Sequence, residues 1–153
     1  MQARQLTADF AVAEQITADD LVDLAQAGFR TVISNRPDGE VVGQPLAADL
    51  AAEAERHGLA YRHLPVKSGC ITAADVEALV DVLGTLSGPF LAFCRSGTRS
   101  TVLWALAEAP RLGVERVVQC AAAAGYELEP LRPRLEACAG AGSMAGEQGR
   151  DDA

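Results

Sequence analysis

The run Cys94-Arg95-Ser96-Gly97-Thr98-Arg99-Ser100 gathers a thiol, a glycine and two guanidinium groups into one short stretch. It follows the apolar Phe90-Leu91-Ala92-Phe93 and precedes a segment holding Val102, Leu103, Trp104 and Leu106. Read as strand, loop and helix, this puts Cys94 at a strand end, opening a tight loop into a helix N-terminus. Open α/β sheets place their sites at that position. Backbone N–H groups of the loop and first helical turn point inward there and cradle an anion. The same dipoles favour the thiolate of Cys94 over the thiol. Arg99 adds a fork of donors matched to an oxyanion, and Arg95 a second positive charge. Gly97 lets the backbone turn without steric cost. Ser100 can cap the helix or donate to the thiolate. No acidic residue lies between Asp81 and Glu108, so the two arginines make a local positive island. The chemistry this predicts is nucleophilic attack by sulfur on an anionic substrate.

The other cysteines, Cys70, Cys120 and Cys138, read as small buried hydrophobes. No two cysteines form a C-x-x-C pair, and only His57 and His63 could add nitrogen ligands, so neither a metal nor a cofactor is expected. His57 reads as a helix C-cap, His63 as a strand residue and Trp104 as core.

The elements that must carry this loop alternate between strand and helix. Phe10 to Ile16 is a short apolar segment. Thr17 caps a helix to about Ala27, with Asp19 and Asp20 in its first turn and Gly28 ending it. Thr31 to Ser34 is a buried strand leading into the loop Asn35 to Glu40. A helix runs from about Leu46 to Arg56, and Leu59 to Val66 is the next strand. Thr72 caps a helix to about Leu86, striped by Val76, Leu79, Val80 and Leu83. After the Cys94 helix come helices over about Val114 to Ala124 and Glu129 to Ala137. This alternation predicts an α/β fold, a central, mostly parallel sheet flanked by helices. One domain is expected over 1–139, with 140–153 a disordered, Gly-rich tail.

The chain has 153 residues, with 13 Lys and Arg against 21 Asp and Glu, a net charge of −8. That balance argues against nucleic acid and anionic membranes as partners. No stretch approaches the roughly 18 apolar residues that span a bilayer, and the N-terminus lacks a signal-peptide pattern. A cytoplasmic location with reduced thiols is expected.

Three stretches carry a resemblance: Gly28-Phe29-Arg30-Thr31-Val32-Ile33-Ser34-Asn35-Arg36-Pro37-Asp38-Gly39-Glu40, then Leu64-Pro65-Val66, then Cys94 to Ser100 continuing into Leu103-Trp104-Ala105-Leu106. From about Leu6 to Glu108 the sequence resembles the phosphatase-like domain of the beta-lactamase hydrolase-like family, a relative of dual-specificity protein tyrosine phosphatases. The resemblance implies a dual-specificity phosphatase-like fold and a cysteine nucleophile.

Two departures bear on the reaction. Tyrosine phosphatases place five residues between Cys and Arg, whereas four separate Cys94 from Arg99. The shorter loop looks like that of rhodanese sulfurtransferases, a tighter cradle suited to a terminal sulfur. Phosphatases also need a general acid to protonate the leaving oxygen. The matching loop, Lys67-Ser68-Gly69-Cys70-Ile71, holds no Asp or Glu, and the nearest candidate acid, Asp75, lies where it complements a helix dipole. Cys70 in that loop could resolve a Cys94 persulfide or pair with Cys94 in a disulfide. Arg36 could contact an anionic substrate, with Asp38 and Glu40 orienting it or Arg99. The alternative for that loop is a turn at Pro37-Asp38-Gly39 with an ion pair.

The leading expectation is therefore a cysteine-dependent sulfurtransferase that draws sulfane sulfur from thiosulfate or a low-molecular-weight persulfide. Cys94 and Arg99 would be catalytic, and Arg95, Ser96, Gly97, Thr98, Ser100 and Arg36 would bind substrate. Its partners would be a small anionic or persulfide donor and a thiol acceptor. Family members joined to sulfide- and persulfide-metabolising domains suggest, by association, partner proteins of sulfide oxidation. The alternatives are a phosphomonoester hydrolase working through a Cys94 phosphocysteine and a redox- or anion-sensing module.

Overall fold

The computed structural model describes residues 1–140. Of the tail expected over 140–153, Gly140 instead ends a helical stretch, and 141–153 lie outside the described residues. Five strands form one sheet: β1 (Arg4–Thr7), β2 (Phe10–Ala13), β3 (Thr31–Ser34), β4 (Ala60–His63) and β5 (Phe90–Phe93). Their order is β1-β2-β5-β3-β4. β1 and β2 pair antiparallel, while the β2–β5, β5–β3 and β3–β4 pairs are parallel. The mostly parallel α/β sheet expected from the sequence is present.

Five α-helices follow the strands: α1 (Ala18–Gln26), α2 (Ala47–Arg56), α3 (Ala73–Thr85), α4 (Thr98–Leu112) and α5 (Val114–Ala123). A 3-10 turn at Glu129–Leu131 then leads into a helical stretch over 132–140. Alternate side chains of each buried strand face opposite layers. Leu91 and Phe93 of β5, with Val32 of β3, pack against Leu21 and Leu24 of α1 and Leu50 and Ala54 of α2. Phe90, Ala92 and Ile33 face Leu79 and Val82 of α3, Leu103, Trp104 and Leu106 of α4, and Val117 and Ala121 of α5. Fully buried Trp104 packs at 6.3 Å from the Phe10 ring. α4 is held on both sides, so its first turn is fixed relative to the sheet.

Local signals set several boundaries. Thr17 and Thr72 each form a capping box, accepting from the backbone N–H of Asp20 and Asp75 while those carboxylates accept from the capping residues' own N–H. His57 is the C-cap of α2. Four details depart from the sequence reading. β1 was unforeseen, because only Leu6 of its residues is buried and an edge strand shows little alternation. β4 stops at His63, three residues short of Val66, where Pro65 removes a donor and constrains Leu64. The last predicted helix starts as a 3-10 turn over Glu129–Leu131, with Pro130 in it, and becomes regular helix only over 132–140. Val80, expected in the apolar stripe of α3, is 50% exposed.

Candidate active site

The parallel register brings the carboxyl ends of the strands level. Ala13 and Ser34 both pair with Phe93, and His63 pairs with Ser34. The loops after all four parallel strands therefore converge at one sheet end. Cross-links between them continue past the strands. Asn35 N–H donates to Phe93 O at 2.8 Å, Cys94 N–H to Ala13 O at 3.4 Å, and Val66 N–H to Asn35 O at 3.0 Å.

Cys94 follows β5 and is fully buried. The loop turns back on it, and Gly97 N–H donates to Cys94 Sγ at 3.1 Å. Gly97 holds φ +91°, the left-handed region, and acts as the N-cap of α4. The loop is braced from the chain's far end. Tyr126, just past α5, donates its hydroxyl to Ser96 O at 3.1 Å, and Arg4 of β1 lies over the Tyr126 ring at 5.9 Å. Behind the loop, Thr101 Oγ1 donates to Gly97 O at 2.8 Å.

Arg99, on the first turn of α4, is almost wholly buried. Its Nη1 donates to Glu40 Oε2 at 2.8 Å and to Val66 O at 2.9 Å, and its Nη2 donates to Glu40 Oε1 at 2.9 Å. The same carboxylate accepts from Arg36 Nε at 2.9 Å. Arg36 Nη1 donates in turn to Gln15 Oε1 at 3.0 Å. Glu40 thus sits between two arginines from different loops and fixes the plane of the Arg99 fork. The Arg99 hydrogen bonds, opposed by burial and then aided by Arg36, lower its pKa from 4.5 to about 2. The Glu40 hydrogen bond raises the Arg99 pKa against burial, and negative charge at Cys94 adds to the rise.

Because Glu40 titrates lower in the folded chain than in the unfolded one, its clamp is fully stabilising above about pH 4.5 and fades as the pH falls toward 2. The thermal midpoint of wild-type protein is expected to exceed that of Glu40→Gln at pH 6. The gap should close across that acid window. A gap that stays constant down to pH 2 would show that the carboxylate's charge does not hold the clamp.

A cavity of about 590 Å³ opens over the loop, lined by Glu40, Ser68, Gly69, Ile71, Arg95, Ser96, Thr98, Arg99, Val102, Leu131 and Arg134. Arg95, Ser96, Thr98 and Arg99 of the predicted set line it directly. Cys94 itself is buried and does not line it. Arg36 is turned to Glu40 and Gln15, so it positions Glu40 within the site's support. Ser100 neither caps α4 nor donates to Cys94; its hydroxyl donates to Asn35 Oδ1 at 2.8 Å, tying α4 to the β3 loop. Asp38 accepts from Ala47 N–H at 2.9 Å, at the start of α2. Asp75 is occupied in the capping box of α3. Cys70, expected as a small buried hydrophobe, is instead an exposed free thiol in the 67–71 turn, and Cys120 and Cys138 are only half-buried; the cavity takes in the Cys70 neighbours Gly69 and Ile71.

In sequence Glu40 reads only as one possible orienting group, and nothing there points to Tyr126, Leu131 or Arg134. Glu40 and Arg99 are 59 residues apart, and no local pattern links them. Arg134 shows in sequence only as one more basic residue on a C-terminal helix.

Residues 2–111 match the family model described as the phosphatase-like domain of the beta-lactamase hydrolase-like protein. The chain belongs to this family. The phosphatase-like domain is 41% identical over 98 residues to a beta-lactamase hydrolase-like protein of Xylella fastidiosa strain Temecula1, covering 64% of this chain and 23% of that one. A protein of the same name from Agrobacterium fabrum is 35% identical over 109 residues, covering 71% and 25%. The chain therefore spans about a quarter of the length of these relatives. A crystal structure of a "putative phosphatase" from Neisseria meningitidis superposes with a TM-score of 0.78 at 35% identity, covering 88% of this chain and 96% of that one. A kinase-associated phosphatase with its catalytic-site cysteine changed to serine superposes at 0.64 with 15% identity, covering 88% and 94%. That likeness shows the shared fold. The dual-specificity phosphatase-like architecture expected from the sequence is thereby present.

The phosphatase-like domain contains no helix among its described residues that is long and apolar enough to cross a membrane.

Proposed function

We propose that this domain is a cysteine-dependent phosphomonoester hydrolase. The observation that carries the reading is the Gly97 N–H to Cys94 Sγ hydrogen bond within the loop whose Arg95, Ser96, Thr98 and Arg99 line the cavity. A thiolate held by a backbone donor beside a fixed guanidinium is a nucleophile paired with an oxyanion clamp. The phosphatase family and neighbours favour hydrolysis over the sulfur transfer that the loop spacing first suggests.

In the first step Cys94 thiolate attacks phosphorus, an S–P bond forms, and the P–O bond to the leaving group breaks with its electron pair on oxygen. Water then attacks the phosphocysteine, giving inorganic phosphate and returning the thiolate, with one proton released. Arg99 and the loop N–H groups stabilise the phosphoryl oxygens in both steps. Since Cys94 has no exposed surface, the lining side chains must shift as substrate enters.

The substrate's leaving group is constrained by the acids nearby. The 67–71 loop has no carboxylic acid, and Glu40, ionised down to about pH 2, has no proton to give at neutral pH. Leaving groups that depart as stable anions, such as phenolates, are favoured. The same shortage of an acid, with the four-residue spacing, supports sulfur transfer as the second reading. There Cys94 thiolate attacks the outer sulfur of thiosulfate, sulfite leaves with the S–S electron pair, and the persulfide sulfur passes to an acceptor thiol.

Intact mass after brief incubation separates the two. An aryl phosphate is expected to add one phosphoryl group at Cys94 and to release phosphate catalytically. A gain of one sulfur from thiosulfate, with no phosphoryl adduct and no phosphate release, would replace hydrolysis with transfer.

A further inference from the structure

The cavity is far larger than a phosphoryl group needs, and its charges are not evenly neutralised. Arg99 and Arg36 share Glu40. Arg95 and Arg134, which also line the cavity, have no ion-pair partner among the described residues. Arg134 reaches the rim from the helical stretch over 132–140 and is anchored there by donating from Nη2 to the Ile71 carbonyl. That contact leaves its Nε and Nη1 without a hydrogen bond among the described residues. Arg134 lies outside the residues that match the family model, so the family match does not account for it. The apolar lining side chains are Val102, one turn along α4 from Arg99, Leu131, three residues before Arg134, and Ile71, whose carbonyl holds Arg134.

We propose that Arg95 and Arg134 form a second oxyanion subsite, so that the substrate carries a further carboxylate or phosphoryl group beyond an apolar spacer. The inference rests on the Cys94–Arg99 loop taking the reacting anion. An unpaired guanidinium at a cavity mouth favours an anion, because it offers charge and directed donors together. Apolar side chains in a cavity that also carries three guanidinium groups suit an aromatic or short aliphatic spacer, and a volume of about 590 Å³ leaves a bare small oxyanion poorly enclosed.

Benzylphosphonate and 4-carboxybenzylphosphonate, which cannot be turned over, probe the subsite by calorimetry. The wild-type protein is expected to bind the carboxylated compound about tenfold more tightly, the scale of one charge-assisted contact. The readout is the ratio of the two dissociation constants, so a general weakening cancels. In Arg134→Met the ratio should fall to within about twofold of unity, and in Arg95→Gln to an intermediate value. Arg95 is exposed, so its variant tests the proposal even where Arg134→Met folds poorly. A ratio near unity in the wild-type protein, or a preference unchanged in both variants, overturns the subsite. Turnover of phenyl phosphate and 4-carboxyphenyl phosphate keeps the two claims apart. No Cys94-dependent turnover with the binding preference intact overturns hydrolysis and supports the subsite. Turnover without preference does the reverse.

Discussion

Cys94→Ser is expected to lower the turnover of an aryl phosphate by at least about 10³-fold and to abolish any covalent adduct in the intact mass. The serine hydroxyl is nearly isosteric, but it stays protonated at neutral pH and is a poor nucleophile without a base. No base replaces the thiolate's charge, because the carboxylate that lines the cavity, Glu40, is committed to Arg99 and Arg36. The fold should persist, since the change removes only one sulfur acceptor for the Gly97 N–H and puts an oxygen in its place. Retained thermal stability with lost turnover is the expected pair of results. Turnover within tenfold of wild type would move the nucleophile elsewhere. A collapse of stability would make Cys94 chiefly a packing residue.

Gly97→Ala should damage both the fold and the site. Its φ of +91° is strained for any residue with a side chain, costing about 1–2 kcal/mol. A Cβ at this position would also lie 2.2 Å from Tyr126 Oη and 3.0 Å from its ring carbon. A tyrosine ring end cannot fold away as a lysine tip can, so the loop or the ring must move. Together these effects predict a loss of roughly 2–4 kcal/mol, seen as a thermal midpoint about 5–12 °C lower. Movement of the loop would swing the Gly97 N–H away from Cys94 Sγ, and kcat/KM should drop by about 10²-fold. The second change Tyr126→Leu removes the ring from the clash but leaves the backbone strain. The double variant should therefore recover part of the midpoint and not all of it. If Gly97→Ala alone matches wild type in both measurements, neither the turn nor the Tyr126 brace has the role assigned to it.

The two variants act on opposite sides of one loop. One removes the sulfur, and the other disturbs the backbone that aims a donor at it. Ser100 shows how the same loop is tied to its surroundings, since its bond to Asn35 couples α4 to the β3 loop. Asn35 Nδ2 then donates to Leu64 O at 3.0 Å, which extends the tie to the β4 loop.

Most of the elements, though not the edge strand β1, and the local chemistry were legible in the sequence. Thr17 and Thr72 start helices because a threonine side chain and a carboxylate three residues on satisfy each other's free N–H groups. Buried β5 reads as an uninterrupted apolar run because both its faces are covered. The strand, Cys94, Gly97 and Arg99 read as a nucleophilic anion loop because each part acts within a few residues of the next. The tertiary structure alone decided what lies around that loop. It set the strand order that makes β5 the neighbour of both β2 and β3. It chose Glu40 as the partner of Arg99, Asn35 as that of Ser100, and Tyr126 and Arg134 as the C-terminal contributions to the site. Those pairs are separated by tens of residues, and only packing of the two helical layers against the sheet brings them together. Propensity and periodicity act over single turns. The partners of a buried charge are settled by where the chain returns, because leaving it unpaired there costs more than any local preference can offset.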